Sequence, residues 1–237
     1  MNLDIKNVLW MLQKYRSEEK TLKNLNENYL QYYLAAQANK PDYPSAGKYL
    51  LCVNNKLKFM WFMVPKVATR SIRKHLNGIS SENIFLYGFK DYPVNLYAGY
   101  YKFAFVRNPY DRLVSCWLEK VVKKNHFNFS TSDFAEMQTF ANFVSYVKGL
   151  NLKKSDRHLR LQSSLIDLNH VDFIGRLENI EADYPSLCRM LKLSPEILEF
   201  QNTSPNRKNY RYYYTDKLAE EVFELYEKDI RLFNYTF

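Results

Sequence analysis

Lys58 to Ser71 reads KFMWFMVPKVATRS: a run that is apolar at nearly every position through Val64, then a proline, and then Lys66, Thr69, Arg70 and Ser71. An unbroken apolar run of this kind suits a strand covered on both faces, as in the interior of a parallel sheet. A helical pattern follows and stops near Gly78, so the segment reads as strand, tight turn, helix. In an open parallel sheet ligands bind where strands end on their carboxyl side, and this turn lies there. A helix N-terminus offers unpaired N–H groups and the positive end of a dipole. Around the loop N–H groups, those of Val67 and Ala68 among them, Lys66 adds a mobile cation, Arg70 a fork-shaped one, and Thr69 and Ser71 two hydroxyls. Taken alone, the same residues would also serve a helix capped by Thr69 or Ser71 with two solvated cations.

A second strand and turn repeat the pattern. Tyr101 to Val106 (YKFAFV) is again a dense apolar run, and Arg107-Asn108-Pro109-Tyr110-Asp111-Arg112-Leu113-Val114-Ser115 follows it. Asn108 is a good N-cap and Pro109 suits the first helical position. Asn108, Arg112 and Ser115 then share one helical face with Arg107 at the strand tip beside them. That arrangement is a second anion site, and two such sites on two strand-to-helix turns are hard to attribute to ordinary surface salt bridges. A third run, Val171 to Gly175, precedes a helix through Leu187, Met190 and Leu191, and a closing helix after Thr215 carries Leu218, Val222, Leu225, Tyr226 and Ile230 on one stripe. Strands alternating with helices give the fold class: α/β, a mostly parallel sheet flanked by helices. Upstream, residues 3–15 and the stretch around Leu22 to Tyr33 have helical spacing, and Pro41 to Gly47 marks a loop. We read residues 1–46 as a helical extension packed on a single domain that spans residues 1–237.

Composition narrows the partners. With 237 residues, 46% of them hydrophobic, the chain can bury one full core. The apolar runs are too short to cross a bilayer and the amino terminus lacks the unbroken segment of a signal peptide, so a soluble, cytoplasmic protein is expected. Cys52, Cys116 and Cys188 are odd in number and lack metal-ligand spacing, which points away from disulfides and from a metal. A formal charge of +9 favours anionic partners: nucleic acid, a phosphorylated nucleotide or an acidic glycan.

VPKVATRSI resembles the 5′-phosphosulfate loop, and RNPYDRLVS the 3′-phosphate motif, of sulfotransferases that use 3′-phosphoadenosine 5′-phosphosulfate (PAPS), in particular the carbohydrate sulfotransferase branch that includes the HNK-1 and heparan/chondroitin types. His158 to Gln162 with Val171 to Asn179 is similar to that family's third block, and Tyr214-Thr215 with the closing helix to its carboxyl end. The likeness runs from about residue 58 to 237. The loop departs from the commoner pattern at Thr69-Arg70. The resemblance implies a P-loop-NTPase-like three-layer sandwich and sulfuryl transfer from PAPS to a hydroxyl or amine of a carbohydrate or small natural product, with 3′,5′-adenosine bisphosphate released and no metal or nucleic acid involved. It implies that Lys66 binds the 5′-phosphate and bridging oxygen, that Val67, Ala68, Thr69, Arg70 and Ser71 hold phosphate and sulfate oxygens, and that Arg107 and Ser115 grip the 3′-phosphate. Arg207 and Lys208, in SPNRKNYRYYYT, would close over the nucleotide, or form a basic surface loop.

Sulfuryl transfer needs in-line positioning and neutralisation of charge on the leaving phosphate, a task for Lys66. An acceptor hydroxyl also gains from a general base. Of the four histidines, His75 and His170 read as structural, and His126 and His158 as candidates; we favour His158, with Glu178 or Asp156 as substitutes. A P-loop phosphotransferase shares the strand-loop-helix logic but needs G-x-x-x-x-G-K-[ST], and no glycine lies between Gly47 and Gly78. A non-enzymatic binder of nucleic acid or anionic glycan would explain the charge and the tyrosines but not two strand-end sites.

Overall fold

The computed structural model describes residues 49–89, 94–194, 198 and 208–237; the expected N-terminal helices and the Pro41 to Gly47 loop lie outside the described residues. Among the described residues five strands form one sheet: β1 (Tyr49–Asn54), β2 (Phe59–Phe62), β3 (Asn83–Phe89), β4 (Tyr101–Val106) and β5 (Phe173–Arg176), in the order β3-β1-β2-β4-β5. β2 pairs parallel with β4, and β4 with β5; β1 pairs antiparallel with both β2 and β3. All strands but β1 therefore run in one sense, and the sheet is mixed rather than a simple series of crossovers.

The two decisive runs behave as their composition dictates. Every residue of β2 is buried, and so are Phe103, Ala104, Phe105 and Val106 of β4, as expected for central strands covered on both faces. Each leads into a helix, α1 (Thr69–Ile79) after β2 and α2 (Pro109–Trp117) after β4. α2 runs directly into one π-helical segment, Leu118–Val122. The short helices α3 (Thr131–Glu136) and α4 (Phe140–Lys148) follow, then α5 (Ile180–Met190) after β5 and α6 (Asp216–Leu232). Val222, Tyr226 and Ile230 of α6 are buried as expected, whereas Met190 of the expected α5 stripe is exposed because α5 ends there.

β1 and β3 were not among the expected strands. Their signal is local: Asn54 accepts the Leu57 N–H through Oδ1 at 2.7 Å and closes the turn that pairs β1 with β2. Asn54 Nδ2 donates at 2.7 Å to Asn83 Oδ1 at the start of β3. Cys52, Cys116 and Cys188 are buried.

Gly175 of β5 is fixed by contact. A Cβ there would meet Phe105 Cε1 at 2.3 Å, and Phe105 is in the closed core. Gly175→Ala should therefore destabilise the protein by about 1–3 kcal/mol through overpacking, read as a lowered denaturation midpoint.

Candidate active site

The first turn, residues 65–68, joins β2 to α1 with an alternating backbone: Lys66 takes φ 74° and Ala68 φ 58°, while Val67 between them does not take a positive φ. Alternation of this kind curls successive N–H groups toward one point and forms an anion-binding nest. Left-handed conformations cost non-glycine residues energy and tend to persist at functional sites. In this loop a lysine and an alanine, with no glycine between Gly47 and Gly78, adopt that geometry. No side chain caps α1 and its first turn has no acidic residue, so no cap or carboxylate of the helix itself competes with an anion at its positive end. Thr69 does not cap the helix; its hydroxyl donates to the Val64 carbonyl at 2.8 Å. Ser71 is buried in the first turn of α1.

Two of the loop's cations meet one carboxylate that the sequence did not advertise. Lys66 Nζ hydrogen-bonds Glu119 Oε2, and Arg70 Nη2 lies 2.7 Å from Glu119 Oε1. The π-helical segment after α2 carries Glu119. Burial pushes the Glu119 carboxyl upward, but the hydrogen bond and charge of Lys66 and the charge of Arg70 outweigh it and hold the group at about 2. Burial draws the Lys66 ammonium below its ordinary value, with Glu119 opposing.

The second turn abuts the first. Arg107 Nη1 donates to the Lys66 carbonyl at 3.0 Å, while its Nε and Nη2 donate to Asp111 Oδ2 at 2.9 and 2.7 Å. Asp111 precedes Ser115 by one turn of α2, so Ser115 lies on the same side of that helix as the carboxylate Arg107 holds. Asn108 caps α2 as expected, its side chain accepting from the Tyr110 N–H. Three side chains whose supporting roles sequence reasoning missed fix this turn. The Gln162 side chain accepts the Arg107 N–H at 3.0 Å and donates to the Arg107 carbonyl at 2.8 Å. The Asn108 N–H donates to Glu178 Oε1 at 2.7 Å, and Tyr235 Oη donates to Glu178 Oε2 at 3.0 Å. Fully buried Asp229 of α6 accepts the N–H groups of Gln162 and Ser163. Glu178 is thereby a support of the strand tip, which removes it as a candidate base.

Arg112 ties both turns to the third block. Its Nε donates to the Pro65 carbonyl at 3.1 Å, Nη1 to that of Arg160 at 2.9 Å and Nη2 to that of Arg157 at 3.0 Å. The guanidinium is buried and faces carbonyls, so it braces the site instead of binding an anion. Losing three hydrogen bonds that are each worth roughly 1 kcal/mol, Arg112→Met should cost about 2–3 kcal/mol in chemical denaturation.

The third block brings His158 to this site. His158 Nδ1 lies 2.6 Å from Asp156 Oδ1, His126 Nε2 lies 3.3 Å from Asp156 Oδ2, and the two imidazoles are 5.3 Å apart. Burial lowers the His158 pKa, Asp156 counters it, and Lys120 and Arg112 are near enough to reinforce the lowering. Burial also raises Asp156, but hydrogen bonds from the His158 side chain and backbone outweigh this and hold it well below the usual carboxylate range. Cys116 senses Lys66, Arg112 and Asp156 together while burial pushes its thiol up to about 12; the loop and the histidine thus share one neighbourhood at the end of α2. His126, Asp156 and His158 offer ligand atoms within 4.8 Å of one another, with Lys120 and Arg112 near enough to act on the His158 imidazole.

Of the other expected residues, Lys208 is exposed, with Nζ 3.5 Å from the Tyr212 ring centroid. Tyr210 nearby approaches Asn108 Nδ2 at 3.4 Å, so this segment flanks the second turn. Arg207 lies outside the described residues. His75 packs against Tyr184, its Nδ1 2.5 Å from the hydroxyl, and His170 pairs with Asp167. No described helix is long and apolar enough to cross a membrane.

The sequence profile described as Sulfotransferase family matches residues 49–236. Carbohydrate sulfotransferase 14 of Homo sapiens is 23% identical over 224 residues, covering 78% of this chain and 60% of that protein. Carbohydrate sulfotransferase 12 of Mus musculus is 26% identical over 168 residues, 57% of this chain and 40% of that protein. An uncharacterized protein of Archaeoglobus fulgidus is 31% identical over 116 residues, 49% of this chain and 87% of that protein. The chain thus spans about 60% of the length of the first of these relatives. No solved structure matches.

Proposed function

The chain belongs to the sulfotransferase family, and from that premise we propose that it moves a sulfuryl group from PAPS to a hydroxyl or amine of a carbohydrate or small natural product, releasing 3′,5′-adenosine bisphosphate. The observation that carries this reading is the contact between the two turns, Arg107 Nη1 to the Lys66 carbonyl at 3.0 Å. Two anion sites so joined suit one ligand with phosphates at both ends. The relatives' names, carbohydrate sulfotransferase 14 and 12, support a sugar hydroxyl as acceptor. We read the sheet with its nest-forming first turn as the P-loop-like sandwich that the resemblance implies.

In the reaction, the acceptor oxygen bonds to sulfur as the bridging S–O bond breaks, and the released electron pair stays on the 5′-phosphate. Lys66 and the N–H groups of the first turn neutralise that developing charge. Asp156 accepts from His158 Nδ1–H and so leaves the Nε2 lone pair to receive the acceptor's proton. Arg107 and Ser115 hold the 3′-phosphate, with Gln162 and Glu178 keeping the strand tip rigid.

Thermal denaturation with 3′,5′-adenosine bisphosphate tests the donor site. We expect a rise in Tm that resists moderate salt. Stabilisation by polyanions alone, abolished by salt, would instead make the chain a non-enzymatic binder. Incubation with PAPS and a panel of sugars and small hydroxylated or amino compounds, read by mass for a sulfate adduct, identifies the acceptor.

A further inference from the structure

We propose that Glu119 is an internal competitor for the anionic end of the donor: it occupies Lys66 and Arg70 before the donor binds, is displaced by the phosphosulfate, and returns to help expel the 5′-phosphate of the product. This rests on the donor-site reading above. The geometry is specific. One carboxylate presents one oxygen to Lys66 Nζ and the other to Arg70 Nη2, as two oxygens of a single phosphate or sulfate would. The two cations come from the first turn and α1, whereas the carboxylate arrives from the π-helical segment, far along the chain. An extra residue inserted in a helical turn re-aims the side chains that follow it, and such segments recur at functional sites. The Glu119 side chain is 27% exposed and that of Arg70 58%, so an arriving ligand can reach the pair from solvent.

Charge decides which ligands can displace it. Lys66 and Arg70 against Glu119 leave one net positive charge. An anion with a single charge that replaced the carboxylate would gain little, because Glu119 would lose two charge-assisted bonds in the exchange. A phosphosulfate brings two charges and also meets the N–H groups of the nest. Once the sulfuryl group has left, the 5′-phosphate keeps about two charges but offers fewer oxygens to the pair, and the carboxylate again contends with it for Lys66 and Arg70. Its action is therefore on binding and release, and product release limits turnover in many enzymes.

The test is Glu119→Gln, with Glu119→Ala as a second variant, in the full chain. Calorimetry with 3′,5′-adenosine bisphosphate and separately with inorganic pyrophosphate gives Kd, and stopped-flow displacement gives the bisphosphate off-rate. We expect both variants to bind the bisphosphate about tenfold more tightly, with slower dissociation. A Glu119 that only braced the loop would give weaker binding on substitution, and unchanged or weaker binding in both folded variants overturns the proposal. Should pyrophosphate tighten in the variants while no form binds the bisphosphate, the competitor stands and the nucleotide reading fails. Equal binding of the bisphosphate by all forms has the reverse meaning.

Discussion

Lys66→Met should lower the rate of sulfuryl transfer by about 10²–10³-fold, the loss typical when one preorganised group facing the developing charge is removed. Lys66 projects from the nest, and its side chain is 8% exposed, so its charge acts with little screening by water. Methionine keeps the length and the apolar stem but not the ammonium. The loop itself should survive, because what Arg107 holds is the Lys66 backbone carbonyl, and Arg112 holds that of Pro65. The helix N-terminus, Arg107 and Ser115 would still grip the nucleotide. The bisphosphate Kd should therefore weaken no more than about tenfold, leaving most of the loss in the single-turnover rate. A variant that lost nucleotide binding but kept its single-turnover rate would show that Lys66 only anchors the donor.

The same loop shows how far the sequence could be read. β2 and β4 were legible because each is a run of buried apolar residues, and both turns because Pro65-Lys66 and Arg107-Asn108-Pro109 put chemistry directly after a strand. The adjacency of the turns follows from parallel pairing of β2 with β4. What sequence could not disclose were the residues that support the site from a distance. Glu119 lies far from Lys66 in the chain and is aimed by a π-helical segment with no compositional mark. Gln162, Glu178 and Asp229 are ordinary polar residues whose roles arise only when the third block and α6 pack against the β4 tip. Arg112 was assigned by helical spacing to the anion-facing side of α2, yet its guanidinium is consumed by three carbonyls. Spacing gives a face of a helix but not what that face meets. β1 escaped attention since its pairing depends on a side-chain-closed turn at Asn54 rather than on a glycine.

His158→Ala should lower the rate by about 10²–10⁴-fold, the usual contribution of a general base, and should remove the acid limb of the pH profile of kcat/KM. The sign follows from the surroundings. Burial disfavours the imidazolium and takes the His158 pKa below its ordinary value of 6.5, while Asp156 opposes it. The neutral, proton-accepting form thus persists to lower pH than in a solvated histidine. Activity in the parent should fall as pH drops through that lowered value, with the midpoint of the limb below about 6.5. Asp156→Asn separates the two effects of the carboxylate. Without its charge the limb should move lower still, and without its orienting acceptor the plateau should drop, because an amide can present a donor to Nδ1 and favour the wrong tautomer. His158 acting only through packing would leave the acid limb in place after His158→Ala. In that event the proton would have to leave by another group, and His126, the second imidazole on Asp156, would be the one to replace next.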